Sequence, residues 1–92
     1  MGGMSTDQTK RLIGLRIRHL RKALGLTQTQ IADLLWVEQT AWSNWEVGIR
    51  LPDVYAMSRW CDLHGVTLDY IYRGEIRTLP YELAVKLQGN TA

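Results

Sequence analysis

The sequence predicts an all-α protein, a compact bundle of five helices followed by a short sixth helix. Three observations support this prediction. Apolar residues recur three and four positions apart along most of the chain, glycine follows four of the first five helical segments, and no segment alternates polar and apolar residues as a half-buried strand would. We therefore expect all of the regular structure to be helical.

The first helix is predicted to run from about Thr9 to Leu24 and to stop at Gly25, a residue that readily adopts the conformation that ends a helix. Its apolar residues Ile13, Ile17 and Leu20 recur at helical spacing and are expected to face the core. Residues 1–8, rich in Gly, Ser, Thr and Gln, are predicted to form a flexible leader before a domain that spans residues 9–74.

Two short helices joined by a tight turn are predicted next, which is the layout of a helix-turn-helix. Thr27 can cap the earlier of the two, and the later one is predicted to begin near Glu38 and to end at Gly48. The residues expected to face inward are Ile31, Ala32 and Leu35 in the earlier helix and Trp42 and Trp45 in the later one. The residues expected to face outward on the later helix are Gln39, Thr40, Ser43 and Asn44.

A fourth and a fifth helix are predicted after this motif. Asp53 and Thr67 can cap their N-termini, and Gly65 and Gly74 can end them. The residues expected on their inner faces are Val54, Met57, Trp60 and Cys61 in the fourth helix and Leu68 and Ile71 in the fifth.

Residues 75–92 form a C-terminal extension, in which Pro80 is well placed to be the first residue of a sixth helix. Leu79, Leu83 and Leu87 form a narrow apolar stripe with a period of four. Such a stripe more often folds back on its own domain, but it can also pack against another subunit or protein. Both alternatives stay open at this point.

Composition narrows the class of protein. The chain has 92 residues, 46% of them hydrophobic, and a single cysteine that cannot form an internal disulfide. No apolar run approaches the roughly 18 residues that a membrane helix needs. We therefore expect one domain, a reducing cytoplasmic location and no membrane association.

Positive charge is concentrated at the start of the chain, although the net charge is only +2. Six of the eleven basic residues lie between positions 10 and 22, with no acidic residue among them. Such a face can bind phosphates, although charge runs are usually only solvated helix faces. We favour phosphate contact, and Arg16 and Arg18 are our candidates for it.

Residues Ile13–Tyr72 resemble the DNA-binding domain of the lambda-repressor and Cro type, also called the xenobiotic-response-element family. The matching segments are IGLRIRHLRKALGLTQTQIADLL, VEQTAWSNWEVGIRLPD and CDLHGVTLDYIYRG, and they cover about two-thirds of the chain. The resemblance implies a lambda-repressor-like bundle that places the third helix in the major groove of double-stranded DNA. It leaves function less certain than fold, because antitoxins and regulator-binding proteins also use this fold.

Several site residues follow from the resemblance. Gln39, Thr40 and Asn44 match positions whose side chains contact base edges, and Ser43 is their helical neighbour. Gln28 matches a glutamine that contacts a DNA phosphate at the start of the second helix. Arg21 and Glu46 match an ion pair that joins the first helix to the third, although two unrelated surface charges are an equally good interpretation from the sequence alone.

Two residues of the motif depart from the family pattern, and a third is acidic although it lies near the expected phosphates. Trp36 stands in the turn where the family usually has glycine, and it is either an exposed anchor for a protein interface or a lid over the helix pair. Trp42 replaces the usual branched aliphatic residue. Glu38 would be repelled by phosphates unless it accepts a hydrogen bond from a cytosine amino group or caps its own helix, and we favour the cap.

An enzyme is not expected. Cys61 and His64 are too few ligands for a zinc site, and no nucleophile has a base at suitable spacing. No catalytic residue, metal or cofactor is therefore predicted. The sequence indicates a sequence-specific DNA-binding regulator, most simply a small repressor that binds as a homodimer. The alternative is a protein-binding antiactivator or antitoxin that uses Trp36, Leu83 and Leu87 to bind another regulatory protein.

Overall fold

Six α-helices make up the computed structural model, which describes residues 5–90. They are α1 (Thr6–Ala23), α2 (Gln28–Leu35), α3 (Gln39–Val47), α4 (Val54–His64), α5 (Leu68–Arg73) and α6 (Tyr81–Asn90), with a short 3-10 turn at Ile76–Thr78. No strand occurs between residues 5 and 90. The predicted all-α fold class is therefore confirmed.

Helix α1 begins earlier than predicted because of a capping box. The Ser5 hydroxyl accepts a hydrogen bond from the backbone N–H of Gln8, and the Gln8 side chain accepts one from the backbone N–H of Ser5. The first helix therefore starts at Thr6 instead of Thr9, so residues 6–8 are helical rather than part of a flexible leader. Residues 1–4, the rest of that predicted leader, lie outside the described residues.

Side-chain caps also begin α2, α4 and α5, as predicted. The side chains of Thr27, Asp53 and Thr67 each accept a hydrogen bond from a backbone N–H in the first turn that follows. Glu38 is different. It occupies the N-cap position of α3, but its side chain makes no capping hydrogen bond, so the predicted cap is wrong.

Helices α1 and α3 pack in unusually close contact, and Gly14 makes this contact possible. A Cβ atom at position 14 would lie 2.5 Å from the carbonyl oxygens of both Trp45 and Glu46. Any larger residue would therefore push α3 away from α1. Because α3 carries the exposed polar row, Gly14 helps to set the position of that row relative to the rest of the domain.

Tryptophans fill the centre of the core. Trp42 is fully buried and makes edge-to-face contacts with Trp45 and Trp60, at ring-centroid distances of 5.7 and 5.4 Å. The large Trp42 ring thus packs edge to face against two other indole rings. Val54, which we expected on the inner face of α4, is 59% exposed, because it lies nearly opposite the face formed by Ala56 and Trp60.

Helix α6 folds back onto α1 and completes the core. Leu79, Leu83 and Leu87 are 7%, 6% and 2% exposed. The stripe therefore belongs to the domain's own core, which was the first of the two alternatives. Leu83 and Leu87 are consequently not interface residues, and this part of the predicted protein interface is corrected. None of the helices described between residues 5 and 90 has the length and apolarity that crossing a membrane requires.

Candidate nucleic-acid interface

The exposed face of α3 carries a row of uncharged polar side chains. Gln39 and Thr40 are exposed, and Ser43 and Asn44, which follow one turn later, are partly exposed. Within residues 5–90, the side chains of Thr40, Ser43 and Asn44 make no hydrogen bond to the protein. Their donors and acceptors are therefore free to bind base edges, which present both kinds of group.

Gln39 differs from its neighbours because its amide is already oriented. Its Nε2 donates a hydrogen bond to Oε1 of Gln28 over 3.0 Å, and Nε2 of Gln28 donates to Oε1 of Glu46, also over 3.0 Å. The Oε1 atom of Gln39 and its second amide hydrogen remain available, one acceptor and one donor side by side. That pair matches the bidentate pattern of adenine in the major groove.

A buried ion pair anchors this relay. Arg21 Nε lies 2.6 Å from Oε2 of Glu46, and Nη2 of the same guanidinium lies 3.1 Å from Oε1, so the contact is bidentate. Arg21 also donates to the carbonyl oxygen of Leu26 over 2.9 Å. The pair joins α1 to α3 and, through Gln28, to α2.

Glu46 is held in its ionised form. Burial opposes this by raising the pKa of the carboxyl, but the hydrogen bonds from Arg21, Gln28 and Trp42, together with the Arg21 charge, lower the pKa below its ordinary value. The Trp42 contact, from Nε1 to Oε2 over 2.5 Å, was not foreseen in the sequence. Its signal was the spacing of four residues between Trp42 and Glu46, which places both side chains on one face of α3.

The two arginines that we expected to contact phosphates, Arg16 and Arg18, lie on different sides of α1. Arg16 lies two residues after Gly14, on the side of α1 opposite α3, and its Nη1 donates to the carbonyl oxygen of Ile71 over 3.3 Å. The guanidinium also lies against Gly74. Arg16 therefore ties α1 to α5, and its assignment to phosphate contact is corrected.

Arg18 is exposed and lies on the side of α1 that faces α3, four residues after Gly14. Three further basic residues surround the C-terminal end of α3. Two of them, Lys10 and Arg11, belong to the basic run noted in the sequence, whereas Arg50 was missed there. Arg11 packs against Gly48, and Lys10 and Arg50 line one shallow surface depression. The signal for Arg50 was its position just after the third helix, and tertiary packing brings Lys10 and Arg11 beside it.

Trp36 occupies the turn between α2 and α3 in a left-handed conformation, with φ of 60° and ψ of 38°. The indole is 71% exposed, so it is not a lid over the helix pair. The Arg59 guanidinium carbon lies 3.5 Å from the ring centroid, and Arg59 Nε donates to the carbonyl oxygen of Leu34 over 3.0 Å. The two side chains form a stacked cation–π pair on the surface of α2 and α4.

Comparison with known proteins agrees with this geometry. Residues 12–71 match the model of the helix-turn-helix domain family, and the chain belongs to that family. The match covers α2, α3 and the turn between them, which carry the exposed polar row. No solved structure shows a significant match to this chain.

Curated relatives are bacterial regulators. The chain is 35% identical over 60 residues to the HTH-type transcriptional activator BcrR of Enterococcus faecalis. The aligned region covers 65% of this chain and 29% of that protein. It is 34% identical over 59 residues to the uncharacterized HTH-type transcriptional regulator YqaE of Bacillus subtilis, covering 64% of this chain and 51% of the relative. The matched region thus spans between about a third and a half of these two relatives.

Proposed function

We propose that this chain is a sequence-specific DNA-binding transcription regulator that inserts α3 into the major groove. The observation that carries the proposal is the exposed polar row of α3, in which Gln39 is oriented by the relay through Gln28 to the Arg21–Glu46 pair. Thr40, Ser43 and Asn44 complete the base-reading set. The ion pair serves to hold the orientation of α3 rather than to add much stability.

Phosphate contacts come from the surroundings of α3. Gln28 uses one amide hydrogen for Glu46 and keeps the second for a phosphate near the start of α2. Arg18 lies on the α3 side of α1, and Lys10, Arg11 and Arg50 surround the other end of α3. Basic residues beside the recognition helix suit a duplex whose phosphate backbones border the groove.

The regulator acts in the cytoplasm as a homodimer on a pseudo-palindromic site, since one recognition helix reads only a few base pairs and two-fold pairing multiplies specificity. Repression is the simplest outcome, because occupying the DNA is enough to block polymerase. The names of the curated relatives support regulation of transcription, and one of those relatives is named an activator.

The test begins with selection of binding sites from a random duplex library. Against the selected site, Gln39→Ala and Asn44→Ala should each weaken binding by about 1–3 kcal/mol and relax the preferred base, with little change on unrelated DNA. Arg18→Ala should weaken binding to all sequences and lower the salt slope by about one unit. Arg77→Ala, which removes an equal charge from an exposed site within the 3-10 turn, is the matched control.

A second candidate function is favoured by Trp36 and Arg59. An exposed tryptophan with a stacked arginine has the composition of a protein-binding hot spot. In that case the chain is an antiactivator or antitoxin that binds another regulatory protein. Silent Gln39 and Asn44 variants on every DNA, together with loss of a protein partner on Trp36→Ala, would establish this candidate and exclude the first.

A further inference from the structure

Glu38 has an exposed carboxylate with no partner at the start of the recognition helix. It is the N-cap residue of α3, with φ of −70° and ψ of 143°, and no side-chain hydrogen bond to the helix. In α1, α2, α4 and α5, by contrast, the side chain of the N-cap residue accepts a hydrogen bond from a backbone N–H of the first turn. Glu38 thus occupies a capping position without acting as a cap.

No basic side chain within residues 5–90 forms an ion pair with this carboxylate. The ion pairs between residues 5 and 90 join Arg21 to Glu46 and Arg77 to Glu75, and neither includes Glu38. The side chain is exposed and contributes nothing to the core. It is therefore free to bind a ligand that approaches the N-terminal end of α3.

The place of Glu38 in the chain indicates which kind of ligand its carboxylate can bind. The next residue is Gln39, whose amide is oriented by Gln28 and faces the groove in the proposed complex. Because Glu38 precedes Gln39 at the start of α3 and its side chain is exposed, its carboxylate lies within reach of a base pair next to the one that Gln39 contacts in the proposed complex. An ionised carboxylate only accepts hydrogen bonds, so guanine and thymine, which present acceptors there, repel it. Adenine offers an amino group beside its own N7 acceptor, whereas cytosine offers its N4 amino group and has no major-groove acceptor of its own.

We propose that Glu38 is a specificity-determining residue that accepts a hydrogen bond from the N4 amino group of a cytosine, beside the base pair that Gln39 contacts. The inference rests on the proposed function, since it requires α3 in the major groove. The carboxylate also discriminates by repulsion. On DNA without cytosine at this position it has no donor to bind and is repelled by the phosphates, so binding to unrelated sequences is weakened.

The experiment compares sites selected by the full chain and by two charge-matched variants. Glu38→Ala removes both the acceptor and the charge at the proposed contact, and Asp33→Ala removes the same charge from the exposed surface of α2. The unmodified chain should select a cytosine in each half-site and prefer it over other bases by about tenfold. Glu38→Ala should lose that preference and bind unrelated DNA more tightly, while Asp33→Ala should keep the preference.

A modified base provides a second measurement. N4-methylcytosine at the selected position keeps the base pair and the phosphates but puts a methyl group where the hydrogen bond would form. It should weaken binding of the unmodified chain about tenfold and leave binding of Glu38→Ala unaffected. Selection of a site without cytosine, or retention of cytosine by Glu38→Ala, would overturn this inference and leave the proposed function intact. Selection of no sequence at all would overturn both.

Discussion

At the scale of single residues, Trp36 combines backbone strain with an exposed aromatic ring. A side chain in the left-handed region costs roughly 1–2 kcal/mol relative to an ordinary backbone conformation. The cation–π contact with Arg59 stabilises the folded state by only about 0.5–1 kcal/mol, because both side chains are partly in water. The strain therefore exceeds what the visible contact recovers, and a tryptophan at this turn weakens the fold slightly while displaying an indole to solvent.

Two substitutions at this position separate the strain from the ring. Trp36→Ala and Trp36→Gly both remove the contact with Arg59, but only glycine relieves the left-handed strain. We expect the glycine variant to be more stable than the alanine variant by about 1 kcal/mol, after allowance for the greater entropy of glycine in the unfolded chain. Urea unfolding measures the difference. An alanine variant as stable as the glycine variant would mean that the turn is not strained.

At the scale of helices, α6 illustrates how an apolar stripe can have two destinations. Leu79, Leu83 and Leu87 could have packed on another chain, but they are buried against the chain's own core, beside α1. The opposite side of α6 stays in solvent, with Val85 45% exposed. The leucine stripe of α6 is therefore a structural part of the domain.

Truncation on the two sides of α6 should have unequal effects. Leu87→Ala should lower the free energy of unfolding by about 2–5 kcal/mol, because it removes buried methyl groups and leaves a cavity. Val85→Ala, on the exposed side, should change it by less than about 1 kcal/mol. Chemical denaturation and size-exclusion chromatography test both variants. A change of oligomeric state without loss of stability in Leu87→Ala would contradict the burial of the stripe.

At the scale of the whole molecule, Glu46 connects three helices through one carboxylate. It accepts hydrogen bonds from Arg21 on α1, Gln28 on α2 and Trp42 on α3. Since the ionised form is the one that these donors stabilise, the folded pKa lies below the ordinary value of 4.5. The stability that Glu46 contributes is therefore complete above the unfolded pKa and is lost as the pH falls through the folded pKa.

The contribution of the Glu46 charge to stability should be visible in the pH dependence of unfolding. We expect the free energy of unfolding to fall as the pH drops below about 4.5, the unfolded reference value. Glu46→Gln, which cannot ionise, should be less stable at neutral pH and should show a weaker dependence on pH in the acid range. Urea titrations at several pH values give both curves. Parallel curves for the two proteins would show that the Glu46 charge makes no contribution.

Local features of this fold were predictable because they depend on neighbouring residues. The caps Thr27, Asp53 and Thr67 bond backbone groups within their own first turns, so the sequence alone identifies them. The all-α class and the outward polar row of the third helix follow from periodicity in the same way. The start of α1 was placed three residues late, because the Ser5–Gln8 capping box lies in a segment without apolar residues.

What the tertiary structure decided concerns residues far apart in the chain. Arg21 and Glu46 are 25 residues apart, and the sequence left an ion pair and two separate charges equally acceptable. The direction of Arg16, the burial of Leu87 and the freedom of the Glu38 carboxylate likewise depend on neighbours that only folding supplies. The sequence by itself determined the fold class and the helix that reads DNA in our proposal, because hydrophobic period and capping are local. Only the packed structure decided which charged side chains are committed internally and which remain available to a ligand.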